Sequence, residues 1–138
     1  MSTLQTEIEI RFSDLDAYGH VNNATFFTYL ETARVKLFQE RFADLMQRGI
    51  LFLVVEASCR YLKPIGLNDR LLIDIRTEKI GRSSFTLGYR MHNGADTTFA
   101  QAQTVMVCFD QKRQKPTELP EDFRLDLNSA TESSPVPE

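Results

Sequence analysis

The sequence predicts an α+β domain in which one long helix packs on a five-stranded antiparallel sheet. Hydrophobic residues recur at steps of three and four in only one stretch, from about residue 23 to residue 46, and at steps of two in five others. The last four period-two stretches follow one another with short turns between them. Short connections favour antiparallel neighbours, and a single long helix must then cover most of one face of the sheet.

The first strand and the segment that follows it differ sharply in composition. Residues 7–12 alternate charged and apolar side chains, which is the pattern of a half-buried strand. Residues 13–20 have no such period and contain the turn-favouring residues Ser13, Asp14, Asp16 and Gly19. We therefore expect a strand that ends in an irregular loop.

One amphipathic helix follows this loop. Its apolar residues are Phe26, Phe27, Leu30, Ala33, Leu37, Phe42, Leu45 and Met46. Asn22 or Asn23 is the expected N-cap, because a short polar side chain satisfies free N–H groups of the first turn. Gly49 is placed to end the helix.

Four strands are predicted after the helix, over residues 51–61, 71–76, 84–91 and 99–109. Asn93-Gly94 is a typical hairpin turn between the last two. No internal repeat and no second domain is evident, and a chain of 138 residues is long enough for one hydrophobic core.

The strand over residues 51–61 is apolar on both faces, with Phe52 and Val54 beside Leu51 and Leu53. One helix cannot cover both faces of a five-stranded sheet. We expect a second copy of the chain to cover the excess, so the protein should assemble as a dimer or a tetramer.

The domain is expected to span residues 1–125, and residues 126–138 are expected to form a flexible tail. This last segment is short of apolar residues and rich in Ser, Pro and Glu. No run of apolar residues approaches the roughly 18 that a membrane span requires. The N-terminus lacks the basic and apolar regions of a signal peptide, so a cytoplasmic protein is expected.

The net charge of −3 is unevenly distributed. Residues 116–138 contain six acidic residues and one basic residue, which leaves 15 basic and 13 acidic residues in the rest of the chain. This body could accept a small polyanion, or its charges could simply be solvated. The excess is too small to favour nucleic acid as a partner.

Cysteine and histidine are too sparse to indicate a metal site. Cys59 and Cys108 lie in separate strand-like segments without CxxC spacing, so we expect reduced, structural thiols. His20 and His92 are the only imidazoles, and no other ligand spacing accompanies them. The sequence therefore predicts no metal.

The segment RFSDLDAYGHVNNATFFTYLETAR, residues 11–34, contains Asp-x-x-Gly-His-Val-Asn-Asn directly before the predicted helix. It resembles the 4-hydroxybenzoyl-CoA thioesterase family, and this form of the motif is similar to the branch that acts on aliphatic acyl-CoA esters. The segment VVEASCRYLKPIGLNDRLLI, from Val54 to Ile73, resembles the second strand, turn and third strand of that family. The resemblance covers about residues 7–110 and implies the hotdog fold, a five-stranded antiparallel sheet wrapped around one long central helix.

The resemblance implies that the protein is an acyl-CoA thioesterase that releases a free acid and CoA without a cofactor. Asp16 would attack the thioester carbonyl or activate a water, and the backbone amide of Asn23 would polarise the carbonyl oxygen. Free N–H groups and the positive end of a helix dipole suit a developing oxyanion. Tyr18 and His20 would orient water or Asp16.

The resemblance also implies where the substrate binds. Substrate-contacting roles fall on the motif residues Gly19, Val21 and Asn22, and on Lys63, Arg82, Ser83 and Ser84 for the phosphates of CoA. Guanidinium, ammonium and hydroxyl groups suit phosphate oxygens. The acyl chain would lie against Phe26, Phe27 and Leu30 of the helix.

Each of these assignments has a structural alternative. A carboxylate before a helix commonly closes a turn, which is the role that we expect of Asp14. Tyr18 and His20 could be packing or capping residues, and Lys63 and Arg82 could be solvated. Glu31 is expected to be a solvated or interface residue rather than a second base.

Two other functions remain open at this point. A hotdog hydratase or dehydratase would use a His with an Asp or Glu, but its motif spaces Asp and His differently from Asp16 and His20. A non-catalytic acyl-CoA binding module would keep the binding slot without needing Asp16.

Overall fold

A computed structural model describes residues 4–130 of the chain. The secondary structure elements are, in chain order, β1 (Leu4–Ile8), a short 3₁₀ helix (Phe12–Asp14), α1 (Thr25–Gln47), β2 (Ile50–Tyr61), β3 (Leu71–Ile80), β4 (Ser84–His92), β5 (Thr98–Asp110), β6 (Lys115–Pro116) and α2 (Glu121–Ser129). The predicted order of strand, loop, long helix and four further strands is confirmed. The first strand lies earlier than predicted, because the chain leaves the sheet after Ile8.

The strands form one antiparallel sheet in the order β1-β3-β4-β5-β2, and the two-residue β6 adds to β5. Helix α1 packs across one face of this sheet through Phe26, Leu30, Ala33, Phe38 and Leu45, all of which are buried. The facing side chains of β3, β4 and β5 complete the core, with Ile73, Ile75, Phe85, Leu87 and Met91 fully buried. The predicted α+β class is therefore confirmed.

The ends of α1 follow the sequence in one case and depart from it in the other. Gly49 has φ of 79° and lies just after the last turn, where its N–H donates to Met46 O, so the predicted helix stop is confirmed. The predicted N-cap was wrong, because the N-cap residue is Ala24. Asn22 instead closes the preceding turn, with its Oδ1 accepting from the Ala24 N–H at 2.9 Å.

Helix α2 was not predicted. Its Phe123 and Leu127 are completely buried, and Arg41 of α1 holds it in place through Asp122 and Asp126 at 2.9 and 2.6 Å. The predicted tail boundary at residue 126 was therefore wrong, since it falls inside a packed helix. Residues 131–138 of the predicted tail lie outside the described residues.

Phe123 completes an aromatic cluster at one end of the sheet. The cluster contains Phe38, Phe42, Phe52, Phe85 and Phe123, and the ring of Phe123 lies 4.6–6.1 Å from each of the other four. Aromatic side chains bury large areas and pack well at these separations. The cluster therefore closes the space between the second half of α1 and the sheet.

Strand β2 forms an edge of the sheet and pairs only with β5 among residues 4–130. A bulge between Val54 and Glu56 interrupts the pairing. Leu53, Val54 and Val55 are substantially exposed. A long, exposed, apolar edge is a ready site for pairing with another strand. The predicted second copy of the chain stays a prediction.

No helix within residues 4–130 is long and apolar enough to cross a membrane.

Candidate active site

The motif loop is a tight reversal that ends where α1 begins. Leu15 and Val21 form a two-residue bridge across it, the Asp16 N–H donates to His20 O at 2.9 Å, and the Gly19 N–H donates to Asp16 O at 3.0 Å. Gly19 has φ of 80°, a conformation that favours glycine. The loop geometry therefore explains why a glycine stands at this position of the motif.

Two anchors hold the loop to the rest of the domain. The Val21 N–H donates to Ile65 O at 2.8 Å, and the Asn22 N–H donates to Asp14 O at 2.9 Å. The Val21 side chain is only 3% exposed and packs into the core. The structure thus gives Val21 a packing role and leaves neither its side chain nor its N–H for the substrate contact that the sequence predicted.

The Asp16 carboxylate makes few hydrogen bonds with the described residues. The side chain is partly exposed, and its Oδ1 accepts one hydrogen bond, from the Tyr18 N–H at 2.9 Å. No side chain within residues 4–130 donates to it. The carboxylate therefore keeps free lone pairs for a substrate or a water.

Asp14 has the opposite surroundings. It is 5% exposed and accepts from the Tyr29 hydroxyl at 2.6 Å, the Arg11 N–H at 3.0 Å and Arg11 Nη2 at 3.1 Å. Burial alone would raise the pKa of Asp14, but the hydrogen bonds from Tyr29 and Arg11 and the charge of Arg11 outweigh it and lower the pKa. Asp14 therefore fastens the loop to α1, as expected of a structural carboxylate.

Tyr29 of α1 donates the shortest of the hydrogen bonds that Asp14 accepts. Burial and the neighbouring Asp14 carboxylate raise the pKa of its hydroxyl, which stays protonated and donates to Asp14. The sequence indicated nothing of this role, because a tyrosine at a helical core position is equally explained by packing.

The start of α1 presents a backbone donor. The Ala24 N–H donates to Asn22 Oδ1 and the Thr25 N–H to Asn22 O, whereas the Asn23 N–H has no acceptor within residues 4–130. The Tyr61 hydroxyl donates to Asn23 O at 2.9 Å and so holds the next peptide along the chain. This contact could not be predicted, because Tyr61 fits the alternating pattern of an ordinary strand residue.

Lys63 lies beside the start of α1, close to Asn23. Together with Asn23, Phe26, Tyr61, Leu62 and Pro64 it lines a groove of about 230 Å³ at the start of the helix. The structure thus brings the Asn23 backbone and the Lys63 cation together at the start of the helix.

Tyr18 and His20 lie on the solvent side of the loop. Tyr18 is 87% exposed, His20 is also exposed, and neither side chain has a hydrogen bond to any of the described residues. Nothing in residues 4–130 of one chain, therefore, positions these two side chains to orient Asp16.

The turn that carries Arg82, Ser83 and Ser84 lies at the far end of the sheet. Ser84 pairs with Val107 of β5, whereas Tyr61, beside the helix start, pairs with Ala100. Seven residues of extended strand separate these levels, which is about 23 Å. A single chain therefore does not bring these three residues to Asp16.

The described part of the chain contains no group of three or more His, Cys, Asp and Glu side chains that could hold a metal ion. Cys59 and Cys108 are free thiols, partly buried and buried respectively. Burial, with a contribution from Asp110, raises the pKa of Cys108 to about 11, so this thiol is not a nucleophile at neutral pH.

The chain matches the Thioesterase-like superfamily over residues 10–127. It is 32% identical over 124 residues to the long-chain acyl-CoA thioesterase FadM of Escherichia coli (strain K12), covering 88% of this chain and 94% of FadM. It is 29% identical over 129 residues to the 1,4-dihydroxy-2-naphthoyl-CoA hydrolase of Thermosynechococcus vestitus, covering 91% and 88%. The crystal structure of YbaW, a probable thioesterase from Escherichia coli, superposes with a TM-score of 0.82 at 30% identity, covering 93% of this chain and 98% of YbaW.

The match is to the superfamily, and the narrower 4-hydroxybenzoyl-CoA family is not singled out by it. The long helix on an antiparallel sheet, the motif loop at its start and these similarities agree with one another. The chain belongs to the thioesterase-like superfamily and is a thioester hydrolase with the hotdog fold.

Proposed function

We propose that this protein hydrolyses acyl-CoA thioesters in the manner of the 4-hydroxybenzoyl-CoA thioesterase family, with Asp16 as nucleophile or general base. The relatives FadM and 1,4-dihydroxy-2-naphthoyl-CoA hydrolase are both named for CoA thioesters, with different acyl groups. Those names support the CoA thioester as the substrate class. They do not select the acyl group.

The single observation that carries the proposal is the contrast between the two loop carboxylates. Asp14 accepts three hydrogen bonds and is buried, whereas Asp16 accepts one and is partly exposed. A nucleophile or base must be ionised and must have a free lone pair directed at the reacting group. Of these two, only Asp16 meets the second condition.

The helix start supplies the electrophilic side of the reaction. The Asn23 N–H is free among the described residues and lies at the positive end of a 23-residue helix. As the nucleophile adds to the thioester carbonyl, negative charge develops on the oxygen, and a fixed N–H donor stabilises it. We assign this donor role to Asn23.

The bond changes balance without a cofactor. In the nucleophilic route, an Asp16 oxygen bonds to the carbonyl carbon, the C–S bond breaks, CoA leaves as the thiolate, and water then hydrolyses the mixed anhydride. In the general-base route, Asp16 takes a proton from a water whose oxygen bonds to the carbonyl carbon, the C–S bond breaks, CoA leaves as the thiolate, and Asp16 returns its proton to solvent. A thiolate is a good leaving group, so neither route needs a strong general acid.

The phosphate contacts are proposed to come from a second copy of the chain. Antiparallel pairing of two β2 edges would place the Ile50 end of one copy beside the Tyr61 end of the other. The turn at Arg82 lies at the Ile50 end of its own sheet. The partner's Arg82 would then lie at the same end as Asp16 and Lys63 of the first chain.

Purified protein incubated with a panel of acyl-CoA esters and a thiol reagent tests the reaction. Free CoA released with the free acid supports hydrolysis. Hydration of an unsaturated acyl group with the thioester intact would indicate a hydratase instead. Tight binding without either change would indicate a binding module.

Mixed dimers test the shared site. Asp16→Asn and Arg82→Ala protomers should each have low activity alone at low substrate concentration. A mixed dimer contains one site with both changes and one with neither, so activity should recover to roughly half of wild type per mixed dimer. A stable monomer in sedimentation analysis, or no recovery on mixing, would contradict this arrangement.

A further inference from the structure

Arg34 of α1 is a buried cation that makes few polar contacts with the described residues. The residue is 8% exposed. Its one hydrogen bond runs from Nη1 to the Tyr89 hydroxyl at 3.2 Å, and no carboxylate within residues 4–130 forms an ion pair with it. A guanidinium has five N–H donors, so most of them are left without an acceptor in the described part of the chain.

The Tyr89 hydroxyl cannot compensate for this charge. It is neutral and shares its other hydrogen bond with Thr104 Oγ1 at 2.7 Å. Burial raises the pKa of Tyr89, and this outweighs the lowering effects of Arg34 and Thr104, so the hydroxyl stays protonated. Buried charges are normally paired, because an unpaired one loses its hydration without a substitute.

Arg34 lies where two grooves meet between α1 and β2. One, of about 260 Å³, begins at Phe27 close to the helix start, and the other is about 320 Å³. Both are lined by Glu31, Arg34 and Val54. The second is otherwise apolar, with Val35, Phe42, Met46, Ile50, Leu51, Phe52 and Met106 around it. A ligand in these grooves would meet hydrocarbon on most sides and the guanidinium at their junction.

We infer that Arg34 selects acyl groups that carry an oxygen acceptor, either a hydroxyl or a carboxylate, over plain hydrocarbon acyl groups. This inference rests on the proposed hydrolysis of acyl-CoA. The planar guanidinium fork suits a carboxylate, and a hydroxyl could accept from Arg34 while donating to Glu31, which lines the same grooves. A purely hydrocarbon acyl group would leave the buried donors unpaired, and sites of that kind discriminate strongly.

The test compares kcat/KM for matched acyl-CoA esters of equal chain length that end in a methyl, a hydroxyl or a carboxylate group. Wild type should prefer the oxygen-bearing esters by about tenfold or more. Arg34→Met keeps an apolar stem of similar length and should abolish this preference by lowering kcat/KM for the oxygen-bearing esters about tenfold, with the methyl-terminated ester changed less than about threefold. Arg34→Lys should retain part of the preference for the carboxylate.

Arg41→Met is the matched control. Arg41 lies on the same helix but is paired with Asp122 and Asp126, away from these grooves, so its loss should leave the ratio of kcat/KM values unchanged. If Arg34→Met does not fold, inhibition of the wild type by non-hydrolysable acyl-CoA thioethers with the same three terminal groups gives the same comparison. The thioethers that end in a hydroxyl or a carboxylate should then inhibit at least tenfold more tightly than the methyl-terminated one.

Three results would overturn the inference while leaving hydrolysis standing. Equal kcat/KM values for all esters in wild type would show no selection. An equal fall for all esters in Arg34→Met, with a lower melting temperature, would show a structural role through Tyr89. A weakened dimer with an unchanged preference would show that a carboxylate of the partner subunit pairs with Arg34. Failure to cleave any ester would instead overturn the proposed function, and this inference with it.

Discussion

Replacing Asp16 by Asn is the most direct test of the proposed chemistry. We expect kcat to fall by about a hundredfold or more, which corresponds to about 2.7 kcal/mol in the activation free energy. Asn is nearly the same size as Asp but can neither attack the carbonyl nor accept a proton. The Asn23 N–H and the binding groove remain, so acyl-CoA should still bind.

The fold should tolerate this change. The Asp16 carboxylate accepts one hydrogen bond, from the Tyr18 N–H, and the amide oxygen of Asn can accept the same bond. Asp16 is partly exposed, so no buried group is left unpaired. The free energy of unfolding should therefore change by less than about 1 kcal/mol.

Asp14→Asn is the matched control, two residues away in the same loop. Three donors converge on this buried carboxylate, and an Asn side chain would direct its NH₂ group at some of them. The free energy of unfolding should fall by about 2–4 kcal/mol, because donors to a buried charged group lose their acceptor. The kcat of the folded variant should change less than about tenfold.

Four measurements decide the matter. CoA release gives kcat, equilibrium binding of a non-hydrolysable acyl-CoA analogue gives Kd, and urea unfolding gives stability. Single turnover in heavy-oxygen water shows whether the label enters the Asp16 carboxylate, which only the mixed-anhydride route can bring about. Full turnover by Asp16→Asn with unchanged unfolding, or a larger loss of kcat in Asp14→Asn, would show that the wrong carboxylate has been assigned.

Three further predictions concern other parts of the chain. The pKa of Asp14 is lowered in the folded state, so its contribution to stability is fully present above about pH 4 and is lost as the pH falls through the lowered value. Urea unfolding from pH 6 downward should show this loss. If the free energy of unfolding of Asp14→Asn depended on pH in the same way as that of the wild type, the prediction would be refuted. Phe123→Ala should reduce the free energy of unfolding by about 3–5 kcal/mol, while kcat of the folded protein stays within about threefold. If urea unfolding gave a reduction below about 1 kcal/mol, the packing described would be contradicted. With its pKa raised to about 11, Cys108 should be alkylated at pH 8 only after unfolding, whereas the partly exposed Cys59 should react sooner in the native protein. Mass spectrometry of labelled peptides distinguishes the two thiols. Rapid labelling of Cys108 in the native protein would be inconsistent with its burial.

The long elements could be predicted because their patterns repeat over many residues. The helix period from Phe26 to Leu45 and the alternation in β3 and β4 each rest on several buried positions. Helix α2 lacked such a signal. Phe123 and Leu127 are its only buried residues, Leu125 is exposed and the rest of the helix is polar, a pattern that does not distinguish a docked helix from a solvated tail.

The sequence could predict only those parts of the candidate site whose residues lie close together along the chain. Asp16 and Asn23 belong to one motif, and its loop joins them directly to α1. The contact between Tyr61 and Asn23 depends on where β2 ends relative to the helix, which no short-range pattern encodes. The distance of Arg82 from Asp16 likewise follows from strand register. Register depends on packing across the whole sheet.

The aromatic cluster around Phe123 and the loop of Asp16 lie at opposite ends of the same sheet. Substitutions at sites this far apart usually have additive effects on stability. Variants of the Asp16 loop that lower stability can therefore be combined with stabilising changes at Phe123, and the two effects on the free energy of unfolding should add. The same separation predicts unequal local opening, with amide hydrogens of the loop exchanging faster than those of β4 and β5. In evolutionary terms, the motif loop at one end of the sheet can change while the packing of Phe123 at the other end keeps the domain folded.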